Sequence, residues 1–202
     1  MSATAKPQHP REAIAERNLE AILDATERLL VRREQPSISA VAVEAGVSRP
    51  TVYAHFPDRQ RLLEALVERA VRSTMAAIES AEPDRGPALA ALQRVLTASW
   101  EQLSRHEEIS RAAAAELSPD AMRRSHQAAR AVLGRLIDRG RREREFRPDL
   151  TTALLVTSCL ALIHATAEAT RAGELDSDAA IDALSVLVTD LFVGRGDGGD
   201  RD

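Results

Sequence analysis

The feature that most constrains this chain is the helical spacing of its apolar residues. After Asp58 they recur without a break at the i, i+3, i+4, i+7 intervals that line one face of an α-helix: Leu63, Leu66, Val67, Ala70, Val71, Met75 and Ile78. The helix formers Ala, Leu, Arg and Glu dominate the composition, and no run of alternating β-branched residues is present. The sequence therefore predicts an all-α protein.

Proline, glycine and capping residues divide this pattern into nine predicted helices. Ser37, Ser48 and Asp58 are placed to cap helix N-termini, and Gly46 is placed to end a helix in the left-handed conformation. The predicted helices cover residues 14–33, 38–45, 49–56, 58–79, 88–105, 107–117, 119–142, 149–172 and 177–193.

Composition shifts suggest the domain boundaries. The clearest linker is the segment EPDRGP at residues 82–87. We expect a disordered arm over residues 1–12, a smaller helical domain over 14–74, a larger one over 83–193, and a disordered tail over 194–202, which lacks apolar side chains.

Charge and cysteine content exclude several classes of protein. One cysteine permits no internal disulfide, and the sequence predicts no metal site and no cofactor. The polar N-terminus does not resemble a signal peptide, and no stretch reaches about 18 uninterrupted apolar residues, so we expect a cytoplasmic protein. The net charge of −4 divides into +1 for residues 1–75 and −5 for the rest, a weak indication that the N-terminal part binds an anion.

Residues 37–56, which end in EAGVSRPTVYAHF, have the organisation of a helix-turn-helix. Two short helices flank a glycine turn, and in that motif the second helix enters the major groove of DNA. Val52 and Phe56 lie four apart and are expected to anchor this helix to the protein. The other faces carry Arg49, Pro50, Thr51, Tyr53, Ala54 and His55.

These side chains suit contacts to a DNA duplex. Arg49 at the helix start can bind guanine O6 and N7 together, and Thr51 offers a hydroxyl and a methyl group. Tyr53, the only tyrosine, and His55 can donate to phosphate oxygens, as can Arg59 at the next helix start. An amphipathic helix with a polar outer face is common in any all-α protein, so only the combination of turn, cap, donors and cation favours DNA.

The sequence resembles the TetR/AcrR family of bacterial transcriptional regulators in the segment VAVEAGVSRPTVYAHFPDRQRLL. It also resembles the family's connection between the seventh and eighth helices in the segment GRREREFRPDLTTALL. The resemblance implies an N-terminal domain that binds double-stranded DNA, a C-terminal helical domain that binds a small-molecule effector, and a homodimer on a palindromic operator. The expected function is that of a repressor that leaves its operator when the effector binds.

Carried over by position, the resemblance assigns DNA contacts to Ser37, Ser39 and the six residues of the recognition helix, and a phosphate contact to Arg59, where the family usually has lysine. Three departures matter. Arg59 replaces that lysine and keeps its charge. Ala54 stands where a larger residue is common, and Glu44 would repel phosphate if it faced outward.

The last two predicted helices are expected to form the dimer interface. Their apolar stripes could also be ordinary core, but the family pairs these helices across a two-fold axis. The candidates are Leu154, Leu162, Leu184, Leu187, Val188 and Leu191.

The effector pocket is weakly specified. Trp100 and Leu103 share a helical stripe, and core packing explains Trp100 equally well. His126 and His164 fall on stretches expected to face inward, where a single histidine is more often a hydrogen-bonded core residue than a ligand group. Few inward charges are evident, which favours an uncharged or apolar effector.

Two other classes were weighed. HEEIS at residues 106–110 begins like a zinc-protease helix, but Ser110 replaces the second histidine, so we do not expect an enzyme. A helical protein-interaction module with degenerate DNA binding stays open because of Glu44 and Ala54.

Overall fold

The computed structural model describes residues 10–193, which form an all-α fold. Within that range the helices are α1 (Pro10–Val31), α2 (Ile38–Ala45), α3 (Arg49–His55), α4 (Arg59–Ser80), α5 (Ala88–Arg105), α6 (Glu107–Glu116), α7 (Pro119–Ser125), α8 (Gln127–Arg142), α9 (Thr152–Arg171) and α10 (Ser177–Val193). The all-α prediction is confirmed.

Three differences from the predicted boundaries exceed two residues. The expected helix 119–142 is two helices, because His126 has φ −87° and ψ 3°, outside the helical region. α1 begins at Pro10, inside the expected disordered arm, since proline is well tolerated in a first turn. α9 begins only at Thr152, because the Thr151 hydroxyl caps it by accepting from the Leu154 N–H at 3.2 Å. The rest of the expected arm and the expected tail lie outside the described residues.

Backbone contacts divide the chain into two units, and the boundary lies inside α4. One unit runs to Ala70 and also contains Glu107–Met122; the other contains Val71–His106 and the chain from Arg123 onward. The first domain was expected to end at residue 74, close to this boundary, but α6 was expected in the C-terminal domain. α6 instead packs against α1, with Ile109, Ala113 and Leu117 buried.

The first unit is a small helical core that an ion-pair cluster reinforces. Apolar residues from α1 to α4, including Ile22, Val41, Val52 and Leu66, are fully buried. Arg69 of α4 bonds to three carboxylates of α1: Glu20 at 3.3 Å, Asp24 at 2.6 Å and Glu27 at 2.5 Å. One guanidinium thus joins α4 to two turns of α1.

The second unit packs α5, α8, α9 and α10 around one apolar core. The α8–α9 connection closes against it: the rings of Phe146 and Phe192 meet edge to face at 5.3 Å, and the Arg147 N–H donates to the Phe192 carbonyl at 2.8 Å. The chain from Gly140 to Phe146 therefore reaches the end of α10.

The segment 81–86 is held by two arginines. Arg94 donates to the carbonyls of residues 81, 82 and 85, and Arg139 donates to those of residues 83, 84 and 86, at 2.8–3.0 Å. Every carbonyl of this stretch therefore has a guanidinium donor.

α9 is long and apolar enough to cross a membrane by length and composition alone, although it contains polar residues such as His164. Only 28% of its most apolar window is buried in the protomer. Much of the apolar surface of α9 is thus left outside the core.

Candidate nucleic-acid interface

The turn between α2 and α3 has the geometry that the sequence predicts. The Ser37 hydroxyl accepts from the Ala40 N–H at 3.2 Å, and the Ser48 hydroxyl accepts from the Thr51 N–H at 3.2 Å. Gly46 ends α2 at φ 68°, a conformation that costs glycine little. The Val47 N–H then reaches back to the Ala42 carbonyl at 3.0 Å, which satisfies one of the free carbonyls at the end of α2.

α3 turns its apolar side inward and its polar side to solvent. Val52 and Phe56 are buried, as predicted. Arg49, Pro50 and Ala54 are exposed, and 54% of Tyr53 is exposed; Thr51 and His55 are half-buried. In the preceding helix region Ser37 is exposed and Ser39 half-buried. The side chains expected to meet DNA thus form an accessible surface rather than a core face.

Arg49 is available for a ligand, whereas Thr51 is partly engaged. The Arg49 guanidinium makes no hydrogen bond or ion pair with any residue between 10 and 193. The Thr51 hydroxyl lies 2.7 Å from the Ser48 hydroxyl, which fixes its rotamer. Ser48 therefore belongs to this surface, although the sequence suggested it only as a cap.

Glu44 does not face outward as a free carboxylate. Arg28 donates to it at 2.7 Å and Arg32 at 2.8 Å, so it binds α2 to the C-terminal end of α1. Hydrogen bonds from Arg32 and Arg28 lower the pKa of Glu44 to about 2. Two cations thus compensate the charge of Glu44.

Arg59 has a partner within the protein. Its Nη2 donates to Glu116 Oε1 at 2.6 Å, and α6 carries that glutamate in the same unit. The α4 N-terminus is also occupied in part, because Asp58 Oδ1 accepts from the Arg61 N–H at 2.8 Å. The positive end of α4 thus already has one side-chain anion close to it.

The four candidate effector residues occur in two sets of contacts. Trp100 is buried in the core, with Leu103 packed against it. His126 and His164 contact each other edge to face with ring centroids 5.3 Å apart. His164 is exposed in the protomer and does not face inward as expected, and His126 is half-buried. Desolvation and the neighbouring His126 lower the pKa of His164. The structure therefore pairs the histidines, which the sequence left separate.

The α10 candidates for a dimer interface need correction. Leu184 and Val188 are fully buried in the core of the protomer, so they cannot contact a partner. Leu162 and Leu191 are half-buried, whereas 49% of Leu154 and 49% of Leu187 are exposed. Val186 and Val193 are also exposed, and the sequence analysis missed them. α10 is apolar on most of its circumference, so periodicity alone could not identify its outer face.

Comparison with known families agrees with this geometry. Residues 22–66 match the family described as "Bacterial regulatory proteins, tetR family". The HTH-type transcriptional repressor LfrR of Mycolicibacterium smegmatis is 42% identical over 81 residues, which are 40% of this chain and 43% of that protein. The matched segment thus spans less than half the length of the relative.

Solved structures extend the likeness to most of the chain. The TetR-like regulator LfrR from Mycobacterium smegmatis, solved with proflavine, superposes with a TM-score of 0.64 at 26% identity and covers 86% of this chain and 95% of its own. A putative TetR-family regulator from Rhodococcus sp. gives 0.74 at 24% identity, covering 88% and 99%. One from Syntrophomonas wolfei gives 0.77 at 16% identity, covering 91% and 98%.

These relatives are described as regulators of transcription rather than as enzymes. The helix-turn-helix with its outward polar face, the family match across it and the LfrR relatives agree with one another. Residues 22–66 thus form a DNA-binding domain of the TetR family, and the described chain shares its fold with TetR-like regulators of known structure.

Proposed function

We propose that this chain is a homodimeric, sequence-specific repressor that leaves its operator when a small-molecule effector binds. The observation that carries the DNA-binding part is the outward polar face of α3, with an unpaired Arg49 at its N-terminus. An Arg in this place can bind both acceptors of a guanine and so select a base. Localisation in the cytoplasm, where the DNA is, follows from this function.

The contacts divide into two kinds. Arg49 and the methyl group of Thr51 read bases, and the small Pro50 and Ala54 let the helix lie close to the groove floor. Ser37, Ser39, Tyr53, His55 and Arg59 bind phosphates, which fix register without selecting sequence. The domain that makes these contacts comprises α1 to α3 and the first part of α4.

Dimerisation is supported by the apolar side chains that one protomer leaves exposed on its last two helices. Leu154 on α9 and Val186, Leu187 and Val193 on α10 are large apolar groups at the surface. A two-fold axis through such a face buries the same residues of both copies. The two α3 helices must then lie about 34–36 Å apart to enter successive major grooves, which calls for a palindromic operator.

The effector part rests on the relatives. LfrR is described as a repressor, and its structure holds proflavine. For this chain we retain Trp100, Leu103, His126 and His164 as candidate effector contacts and an uncharged or apolar effector as the expected class. Such a molecule removes the dimer from DNA only to the extent that it binds the released form more tightly.

The test is a titration of DNA binding against salt. The chain is mixed with a duplex that it has itself selected from a randomised library, and with a scrambled duplex of equal length. We expect log K to fall steeply with log salt for both, because several phosphates are neutralised, and the selected duplex to bind at least about a thousandfold tighter. The first effector trials are proflavine, the cation held by the LfrR structure, and an uncharged apolar ring compound of similar size.

A flat and weak response to salt would contradict the proposal. It would favour the alternative of a helical protein-interaction module that keeps the fold. Two features suggested this module. The charge of Glu44 is compensated by ion pairs with Arg28 and Arg32, so only Ala54 still favours it. Footprinting on the DNA upstream of the chain's own gene would identify an operator.

A further inference from the structure

The ion pair between Arg59 and Glu116 joins the proposed phosphate contact to a helix that follows it by more than fifty residues. Arg59 is the first residue of α4, and Glu116 is the last residue of α6. Their atoms Nη2 and Oε1 are 2.6 Å apart, and the side chains are 35% and 32% exposed. The pair is thus accessible to solvent and to a ligand.

Each charge of this pair is at the unfavourable end of its helix. A helix N-terminus carries partial positive charge and repels a cation, and a C-terminus carries partial negative charge and repels an anion. Arg59 and Glu116 are therefore poorly placed for their own helices. Their contact offsets both costs as long as no other anion approaches Arg59.

The bond is monodentate and leaves donors unused. Only Nη2 of Arg59 bonds to Glu116, and the Nε–H is buried without an acceptor among the described residues. A phosphate offers several charged oxygens and can accept two parallel N–H bonds from one guanidinium. A partly exposed single ion pair is weak. Exchange of Glu116 for a phosphate is therefore energetically accessible.

α6 presents the carboxylate from a fixed position. Ile109, Ala113 and Leu117 are buried, and Glu108 near the other end forms an ion pair at 3.5 Å with Arg33, in the turn that follows α1. Glu116 cannot simply swing away with a loose segment, because its helix is packed in the same unit as α1 to α3.

We propose that Glu116 is a positioning residue that competes with DNA phosphate for Arg59 and thereby limits the affinity of the regulator for any duplex. The proposal rests on the proposed DNA-binding function. In the free protein Glu116 neutralises Arg59; on DNA the guanidinium changes partner, and the glutamate charge is left near the backbone of the duplex.

The experiment measures binding of a random-sequence duplex by wild type and Glu116→Gln at several salt concentrations. The neutral amide frees Arg59, so we expect binding about two- to fivefold tighter and a salt slope steeper by up to about one unit. Glu108→Gln is the matched control, since it removes the same charge from the same helix at an ion pair with Arg33 and Arg111. It should change binding less.

A second background separates exchange from general repulsion. When Glu116→Gln is added to Arg59→Ala, the affinity for DNA should rise little, because no cation is left to release. When it is added to Arg59→Lys, which keeps a cation, the affinity should still rise. If Glu116→Gln folds poorly by circular dichroism, Glu116→Asp, whose carboxylate is one methylene further back, should give an intermediate gain.

The outcomes are distinct. Suppose that wild type binds DNA with a steep salt slope. If Glu116→Gln then binds no tighter than wild type, or no tighter than Glu108→Gln, this inference is overturned and the DNA-binding function stands. Wild type without a salt-dependent response overturns both.

Discussion

The ring of Phe146 occupies the space that a side chain on Gly140 would need. A Cβ built on Gly140 would lie 2.3 Å from Cδ2 and 2.5 Å from Cε2 of that ring. Gly140 is also the acceptor for the N–H groups of Glu145 at 2.8 Å and Phe146 at 3.2 Å. The close approach of the α8–α9 connection to α8 thus depends on a residue without a side chain.

Substitution Gly140→Ala should destabilise the protein by about 1–3 kcal/mol, because a buried ring must move out of its packed position. Gly134→Ala on the same helix is the control: its Cβ would meet nothing within 4 Å, and alanine favours the helix by about 1 kcal/mol. In urea titrations the free energy of unfolding should therefore be higher for Gly134→Ala than for wild type and lower for Gly140→Ala. If both substitutions stabilised the protein equally, the Phe146 ring would be shown to move aside without measurable cost.

Stability in acid should depend on Glu44. Its folded pKa, about 2, lies below the ordinary value of 4.5, so its ion pairs stabilise the fold fully above pH 4.5 and are lost as the pH falls towards 2. Wild type should lose more stability than Glu44→Gln across this interval. Glu16→Gln, which removes a charge from the exposed surface of α1, should follow wild type; an identical decline for all three would exclude a role for the Glu44 pairs.

Arg49→Ala should relax the preference for one base pair, at a cost of about 1–3 kcal/mol on the preferred operator. Tyr53→Phe on the same helix removes a proposed phosphate donor and should weaken all duplexes alike. Both variants are compared by competition among duplexes that differ at single positions. An unchanged ranking of duplexes for Arg49→Ala would mean that this side chain does not read a base.

Leu187→Asp should yield a folded monomer, because it places a charge on the exposed face of α10 without disturbing the protomer core. Val43→Asp is the control, since Val43 is an exposed apolar residue of α2, away from the proposed interface. Sedimentation velocity should show dimers for wild type and Val43→Asp. By contrast, Leu184→Ala should destabilise the protomer itself by about 2–5 kcal/mol, since Leu184 is buried.

The features that the sequence predicts well are local. Ser37, Ser48 and Gly46 define the ends of α2 and α3 through bonds to residues three to five positions away, so short patterns are sufficient. The buried pair Val52 and Phe56 follows from a four-residue spacing for the same reason.

The features that it misses depend on distant partners. Glu44 meets arginines 12 and 16 positions away, and Arg59 meets Glu116 57 positions away, so neither pairing has a local signal. The inward direction of Leu184 and Val188 was equally hidden, because α10 offers apolar side chains on several faces. Charge and hydropathy at one position cannot reveal which neighbour the fold supplies.

The hydrogen bonds of Arg94 and Arg139 to the segment 81–86 matter for the choice of a truncation site in this protein. Proline, glycine and charge make that stretch look like the natural place to cut, yet scission there would strip two guanidiniums of six carbonyl acceptors. A truncated version that keeps its integrity would have to retain residues 81–86 on the fragment that carries α5 and α8, with its cut placed earlier, inside α4, where the second unit begins at Val71.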